Sequence, residues 1–344
     1  MSAVEAFLDD TPGETRGMVA RDGRFEHLIV HRDDDPPQNR LGARSVGRVI
    51  EVQAGFNAAF VDLGAPGPAA FLPMGQGARP REGDRIEVVT TAEPREKKGP
   101  TVRLIGPAEG SPHLIAPGPD VSTLLARIAP NTPVQTGLAA IQASWDAEEE
   151  AFAAGHLFLE AALDLAVERT RALVAVDIDY THMPGRDAKR GRHRANLEGL
   201  GHAARLIRLK SWGGLVAIDL VGSRLDAEAI AQAARAAFSD EPEIVFGPLN
   251  RFGVLQLSVP WRRTPIEDLL QGPDGDRVAM TAALAMIRRL RMRLLQDTAT
   301  PRYAVRCAPA EATLAAPLVA RLGPRAAVVA DPAVRPGHAD IEEG

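Results

Sequence analysis

The sequence predicts an α/β protein that also carries a small β-barrel. Two patterns and the chain length lead there. Short apolar segments, "SVGRVIEVQ", "AAFVDLG", "AAFLPM", "GDRIEVVTTAE" and "GPTVRLIG", follow one another between Gly and Pro turns over residues 45–106. Strands that short and that close are the signature of a barrel. Farther on, "RALVAVDIDY", "RHRANLEGLGHAARLIRLKSW", "GLVAIDLVG" and "LDAEAIAQAARAAFS" alternate strand and helix periodicity. That order lays helices on a sheet with at least one parallel strand pair. At 344 residues the chain holds about two domains.

Taken in order, "ETRGMVARDGRFEHLIVHR" reads as a hairpin with Arg21, Asp22 and Gly23 at its turn. "RDDDPPQNRLGA" is a polar linker, and the barrel follows it. "EGSPHLIAPGPDVS" reads as a second linker. Residues 121–168 are ambiguous: one or two helices, then a candidate strand in "HLFLEAALDLAV". The alternating strand and helix layer comes next and closes with the strands "EIVFGPL" and "VLQLSVP". "TAALAMIRRLRMRLLQD" is a basic helix. Leu284, Ile287, Leu290, Met292 and Leu294 would pack, with Arg288, Arg289, Arg291 and Arg293 outward. The Ala- and Pro-rich remainder is α/β in character, and its polar end is expected to fray. No internal repeat of fixed period is present.

Composition excludes several classes. The net charge of -5 gives no global attraction for polyanions, so any such role rests on local patches. A single cysteine, Cys307, allows neither an intrachain disulfide nor a cysteine zinc cluster, and fits a reducing cytoplasm. "MSAVEAFLDDTPGE" lacks the basic start and apolar run of a secretory signal, and no stretch is long and apolar enough for a membrane span.

Carboxylates at strand ends carry the strongest chemical hint. Asp177 and Asp179 stand two apart, so in a strand they share a face. Asp219 ends the next strand of the layer. If a helical crossover joins these strands, they are parallel and all three carboxylates reach one edge. Uncompensated, such a cluster is costly, and a hard divalent cation relieves it. Mg²⁺ at such a site suits phosphodiester hydrolysis. A single aspartate at a strand end more often faces water or caps a helix, and only the matched pair brings the metal reading level with that one.

The segment between the two strands is basic: Arg186, Lys189, Arg190, Arg192, Arg194, Arg205, Arg208 and Lys210 stand against Asp187 and Glu198. It could hold phosphates, though a solvated face is the commoner fate of such a run. His182, His193 and His202 lie nearby without metal-ligand spacing. Ser223, Ser258 and Cys307 lack a nucleophile context, and "GPDGDR" reads as a turn and not as a calcium loop. No P-loop or dinucleotide fingerprint is complete.

In that order, "RALVAVDIDY", "ANLEGLGHAARLIRLKSWGGLVAIDLV" and "NRFGVLQLS" resemble the catalytic core of the ribonuclease E/G family. "VGRVIEVQAGFNAAFVDLGAPGPAAFLP" with "REGDRIEVVTTAEPREKKGP" resembles that family's inserted S1 domain, an OB-type barrel. The resemblance covers most of residues 14–258. It implies an α/β, RNase H-like catalytic domain carrying an inserted S1 barrel, with a small C-terminal α/β region. The expected boundaries are 1–44 for the N-terminal strands of the RNase H-like domain, 45–106 for the barrel, 107–270 for the catalytic domain and 271–344 for the small region. On this view the hairpin belongs to the later α/β sheet.

The resemblance also implies Mg²⁺-dependent endonucleolytic cleavage of single-stranded RNA, in mRNA or in rRNA and tRNA precursors, leaving 5′-phosphates. The family's metal-binding aspartates fall on Asp177 and Asp219. Asp179 stands where the family has Asn, and it would orient the catalytic water or the metal. The family's helix start is kept as "RANLEGL", with Asn196 and Glu198. RNA contacts in the S1 domain fall on Phe60, Phe71 and Lys98, which fits base stacking beside positive charge; the residues alone would make either phenylalanine barrel core.

There are departures too. No Cys-Pro-x-Cys zinc link follows "RFGVLQLS", so homo-oligomerisation, if present, does not use one. No "VRTAG"-like element for an RNA 5′-monophosphate is found, so a weak response to the 5′ end is expected. The alternative reading is a non-catalytic S1-domain RNA-binding protein derived from the same family.

Overall fold

The computed structural model describes residues 3–75, 79–181, 187–223, 225–271 and 278–344. Strand β1 (Val4–Asp9) pairs antiparallel with β2 (Glu14–Arg21). A two-residue turn leads into β3 (Arg24–Arg32); Asp22 and Gly23 there have φ of 48° and 72°, the left-handed pair that suits a tight hairpin.

The barrel comprises β4 (Arg44–Gln53), β5 (Ala58–Asp62), β6 (Ala70–Pro73), β7 (Arg85–Ala92) and β8 (Thr101–Pro107). It closes in the order β4-β5-β6-β8-β7, because β4 pairs with both β5 and β7. The β6–β8 pairing is parallel and the others are antiparallel. This is an OB-type closure. Val49, Ala59, Val61, Ala70, Leu72, Ile86, Val88 and Val102 fill its interior, alternating with outward residues as the strand period requires. The expected second linker contributes a strand of its own, β9 (His113–Ala116), which pairs with β4.

Helix α1 (Val121–Ile128) starts where the Asp120 side chain accepts a hydrogen bond from the Thr123 amide at 2.7 Å. Strand β10 (Val134–Gln135) then pairs parallel with β1. The result is a four-stranded sheet β10-β1-β2-β3, on which Val121, Leu124 and Leu125 of α1 pack against Ala6, Val19 and Ile29. The early hairpin therefore lies in this sheet and not in the later one, which corrects the sequence expectation. Its partners β1 and β10 carry no local signal linking them to it.

Helix α2 (Leu138–Phe152) precedes the second layer, so the ambiguous stretch holds two helices before its strands. That layer runs β11 (Gly155–Phe158), β12 (Leu163–Arg169), β13 (Val174–Tyr180), α3 (Ala188–Leu209), β14 (Gly214–Asp219), α4 (Ala227–Ala237), β15 (Val245–Phe246) and β16 (Val254–Val259). Its strands form one six-stranded sheet, β11-β12-β13-β14-β16-β15, in which β13–β14 is the one parallel pair.

The C-terminal region holds α5 (Ile266–Leu270), α6 (Ala279–Gln296), β17 (Tyr303–Cys307), α7 (Pro309–Val319), β18 (Ala326–Ala330) and β19 (Ala339–Glu343). The sheet β18-β17-β19 packs against α6 and α7 around Ile287, Leu290, Val305, Cys307 and Val319. The polar end is thus the paired strand β19, not a frayed tail.

A further correction concerns α6, whose arginines were expected to face outward. Arg288 is 1% exposed, and its guanidinium bonds Asp9 and, at 3.1 Å, Glu14. Glu14 also binds Arg16 at 2.6 Å and Arg32 at 2.8 Å, and Arg16 reaches Glu148 at 2.6 Å. Burial alone would raise the Glu14 carboxyl; Arg16, Arg288 and Arg32 outweigh it and hold this group well below the usual carboxylate range.

The chain divides into two compact units. One comprises Met1–Arg24, Leu28–Glu148 and Thr264–Gly344, with the barrel and the buried ionic cluster; the other comprises Phe25–His27 and Glu149–Arg263, with the six-stranded sheet.

Candidate functional site

The six-stranded sheet is two-faced. Leu165, Val167, Val176, Ile178, Val216 and Ile218 are buried, while Asp164, Asp177, Asp179 and Asp219 alternate with them and are exposed. Strand periodicity puts the four aspartates on the face opposite the buried residues. Asp177 is the direct partner of Asp219 across the parallel pair, and Asp164 is the partner of Asp179 across the antiparallel one. The sequence placed three of these carboxylates together; Asp164 completes the group. Its signal was the alternation in "LDLAVER", in a stretch too ambiguous to set its register.

Burial first, then the charges of Asp219, Asp179 and Asp164, push the Asp177 carboxyl above its ordinary value. Among the described residues the Asp177 and Asp219 carboxylates accept no hydrogen bond and form no ion pair. Asp179 differs, since its side chain accepts a hydrogen bond from the Tyr180 amide at 2.7 Å. Among the described residues no group of three or more His, Cys, Asp or Glu side chains is disposed to hold an ion. Asp177 and Asp219 could together present two hard oxygen donors, a set that suits a small divalent cation retaining several waters.

Helix α3 holds the strands in place. A Cβ on Gly199 would sit 2.8 Å from the Ile178 side chain, so only glycine allows α3 this close to the residue between Asp177 and Asp179. Asn196 is 1% exposed, and its amide makes two hydrogen bonds with the Val221 backbone, donating to the carbonyl at 2.9 Å and accepting from the N–H at 3.0 Å. The Leu220 amide donates to the Gly253 carbonyl at 3.3 Å. The chain leaving Asp219 is therefore fixed on two sides. Glu198 instead pairs with Arg194 at 2.6 Å on the exposed side of the helix.

The basic segment divides. Arg205 is buried and bonds the Phe25 carbonyl at 2.6 Å and Glu150 at 2.7 Å. Lys210 is buried and donates to the carbonyls of Ala151 and Ala153 at 2.6 and 2.7 Å. Arg208 donates to the Ala237 carbonyl at 3.0 Å. These three tie the unit together and are not free for phosphates. Lys189, Arg190, Arg192 and Arg194 remain toward the start of α3, and the Arg192 side chain lies 3.6 Å from a Cβ built on Gly222.

His202 is a packing residue, its ring stacked on Phe158 at 3.8 Å. His193 is exposed. Cys307 is buried, and burial together with Glu311 pushes its thiol up, away from nucleophilic chemistry. His182, Arg186 and the "GPDGDR" turn lie outside the described residues.

The barrel carries a second site. Phe60 on β5 and Phe71 on β6 are direct cross-strand partners with ring centroids 5.9 Å apart, edge to face. Both are half-buried and point away from the barrel interior, so neither is core. They line a groove of about 580 Å³ together with Phe56, Arg95, Lys97 and Lys98. Lys98 is exposed and 3.7 Å from Glu96. A Cβ on Gly99 would collide with the Ala69 carbonyl and lie 2.6 Å from that of Pro68, so glycine lets the lysine loop close against β6. Phe60, Phe71 and Lys98, singled out from the sequence, thus meet in one groove. Phe56 and Lys97 were not foreseen; the signal for Phe56 was a large apolar residue in the "QAGFN" turn.

The family model described as "Ribonuclease E/G family" matches residues 141–260, which hold the six-stranded sheet with Asp164, Asp177, Asp179 and Asp219 but not the barrel. Ribonuclease E of Buchnera aphidicola subsp. Acyrthosiphon pisum (strain APS) is 31% identical over 102 residues, covering 27% of this chain and 11% of that protein. The chain therefore spans only a small part of that relative. No helix among the described residues is long and apolar enough to cross a membrane.

Proposed function

We propose, from the premise that residues 141–260 are a ribonuclease E/G family segment, that this protein is a Mg²⁺-dependent endoribonuclease acting on single-stranded RNA in the cytoplasm. One observation carries the reading: within that segment two exposed carboxylates, Asp177 and Asp219, stand side by side in register without a compensating cation among the described residues. They would hold the ion. When bound, Mg²⁺ lowers the cost of charge on the reacting phosphate and favours ionisation of water.

The chain's own residues supply the rest. Asp179 is positioned by the Tyr180 amide to orient the attacking water. Water adds to phosphorus, the P–O3′ bond breaks, and the proton passes to the departing 3′ oxygen. The downstream fragment keeps a 5′-phosphate. Asn196 keeps the exit of β14, and with it Asp219, in place. Phe60 and Phe71 stack unpaired bases while Lys98 meets a phosphate. In this reading the RNase H-like catalytic domain is residues 107–270, whose six-stranded sheet carries Asp177 and Asp219.

The test is cleavage of a short, end-labelled, A/U-rich single-stranded RNA with and without Mg²⁺, comparing wild type with Asp177→Asn and Asp219→Asn. Mg²⁺-dependent products that vanish in both variants support the reading. No cleavage by wild type, with RNA binding retained, moves the protein to a non-catalytic RNA-binding role.

A further inference from the structure

The aromatic surface of the barrel groove extends beyond Phe60 and Phe71. Phe56 is 79% exposed, unusually so for a phenylalanine. It ends a 3₁₀ turn, Ala54–Phe56, in the loop between the barrel's first two strands. The turn is rigidly mounted. Asn57 adopts a left-handed conformation with φ of 47°, and its amide donates to the Ala54 carbonyl at 3.1 Å. Its side chain donates to the Met74 carbonyl, and the Met74 amide donates back to the Asn57 carbonyl at 2.8 Å.

Across the groove lies the loop between the barrel's fourth and fifth strands, with Lys97 and Lys98 exposed. It too is anchored: the Glu96 amide donates to Asp268 at 3.0 Å, and the Thr264 hydroxyl donates to the Pro94 carbonyl at 2.7 Å. The second and third strands and these two loops are the surfaces on which OB-type barrels hold oligonucleotides. An apolar peptide would use the rings but not the lysines, whereas a single nucleic-acid strand uses both, because bases stack and phosphates pair.

We propose that Phe56 is a third stacking platform and Lys97 a second phosphate contact, so that the groove holds three consecutive unpaired bases of RNA. This deepens the RNA reading of the groove and rests on it. The three rings read no base identity, since every base has a stackable face.

The experiment is equilibrium binding of fluorescent oligouridine to the full chain in EDTA, which keeps the RNA intact. Phe56→Ala should weaken binding about 5- to 150-fold, Phe56→Trp should restore it, and Phe56→Leu should not. Lys97→Ala should reduce the slope of log affinity against log salt by about 0.7. An abasic nucleotide walked along the oligonucleotide should find three sensitive positions in wild type and two in Phe56→Ala. Two sensitive positions in wild type, or unchanged affinity in Phe56→Ala with clear losses in Phe60→Ala and Phe71→Ala, would overturn the proposal while leaving the RNA groove intact. Indifference of all three aromatic variants would instead remove the RNA reading of the groove. Phe56 is exposed and its loss opens no cavity, so the variant folds; an unchanged Tm checks this.

Discussion

The barrel groove and the acidic sheet face are opposite in charge. The groove shows three phenylalanine rings beside Arg95, Lys97 and Lys98. The sheet face shows four aspartates in register-paired positions. A polyanion is attracted to the first with no help, and repelled by the second until a cation intervenes. Under the proposed function the two surfaces would have separate tasks: affinity would answer to monovalent salt and aromatic contact, and chemistry to a divalent ion.

Breaking the acidic side should have the largest effect. Asp177→Asn and Asp219→Asn should each remove cleavage altogether, while RNA affinity in EDTA stays at the wild-type level, measured by gel assay and anisotropy. A parallel loss of affinity would collapse the separation.

Next in size is the scaffold of the barrel's own unit. Glu14→Gln leaves Arg16, Arg32 and Arg288 without their shared carboxylate and should cost about 3–5 kcal/mol in urea unfolding. The pH sign follows from the depressed carboxyl. Its stabilisation is present in full above its ordinary value of 4.5 and is lost as the pH falls from there toward the folded-state value. Glu14→Gln should therefore flatten the acid limb of the stability curve.

Breaking the groove is smaller still. Phe60→Ala or Phe71→Ala should each weaken RNA binding by about 1–3 kcal/mol, with the Mg²⁺ midpoint for cleavage unchanged. The smallest effect sharpens the comparison by its absence: one RNA carrying either a 5′-monophosphate or a 5′-triphosphate should be cut at equal rates. A strong monophosphate preference would show a third RNA-contacting surface.

What the sequence made legible was whatever has a local period. The barrel strands stood out by alternation and Gly or Pro turns, and the parallel β13–β14 pair followed from the helix between them. Asp177 and Asp219 could be brought together on that basis alone. Residues whose partners are distant in sequence were misread. Arg288 lies on a helix whose charged side reads as outward, yet Asp9 and Glu14, far earlier in the chain, draw it inside. Arg205 and Lys210 look like a phosphate-binding run, yet they serve backbone carbonyls. Asp164 was hidden because its strand follows Ala162, a left-handed residue with φ of 51° that breaks the pattern before the register is set.

The seam of the barrel gives Phe71 a further consequence. The parallel side, β6 against β8, closes through one registered pair, Phe71 with Thr101, and the Phe71 amide donates to the Pro100 carbonyl at 2.8 Å. Where a ladder is that short, local opening precedes global unfolding. A base stacked on Phe71 would then act as a latch on the zipper's last tooth. Amide hydrogen exchange around residues 70–73 and 100–102 would slow on RNA binding, out of proportion to the rest of the barrel, and the slowing would report occupancy of the groove without any label on the RNA.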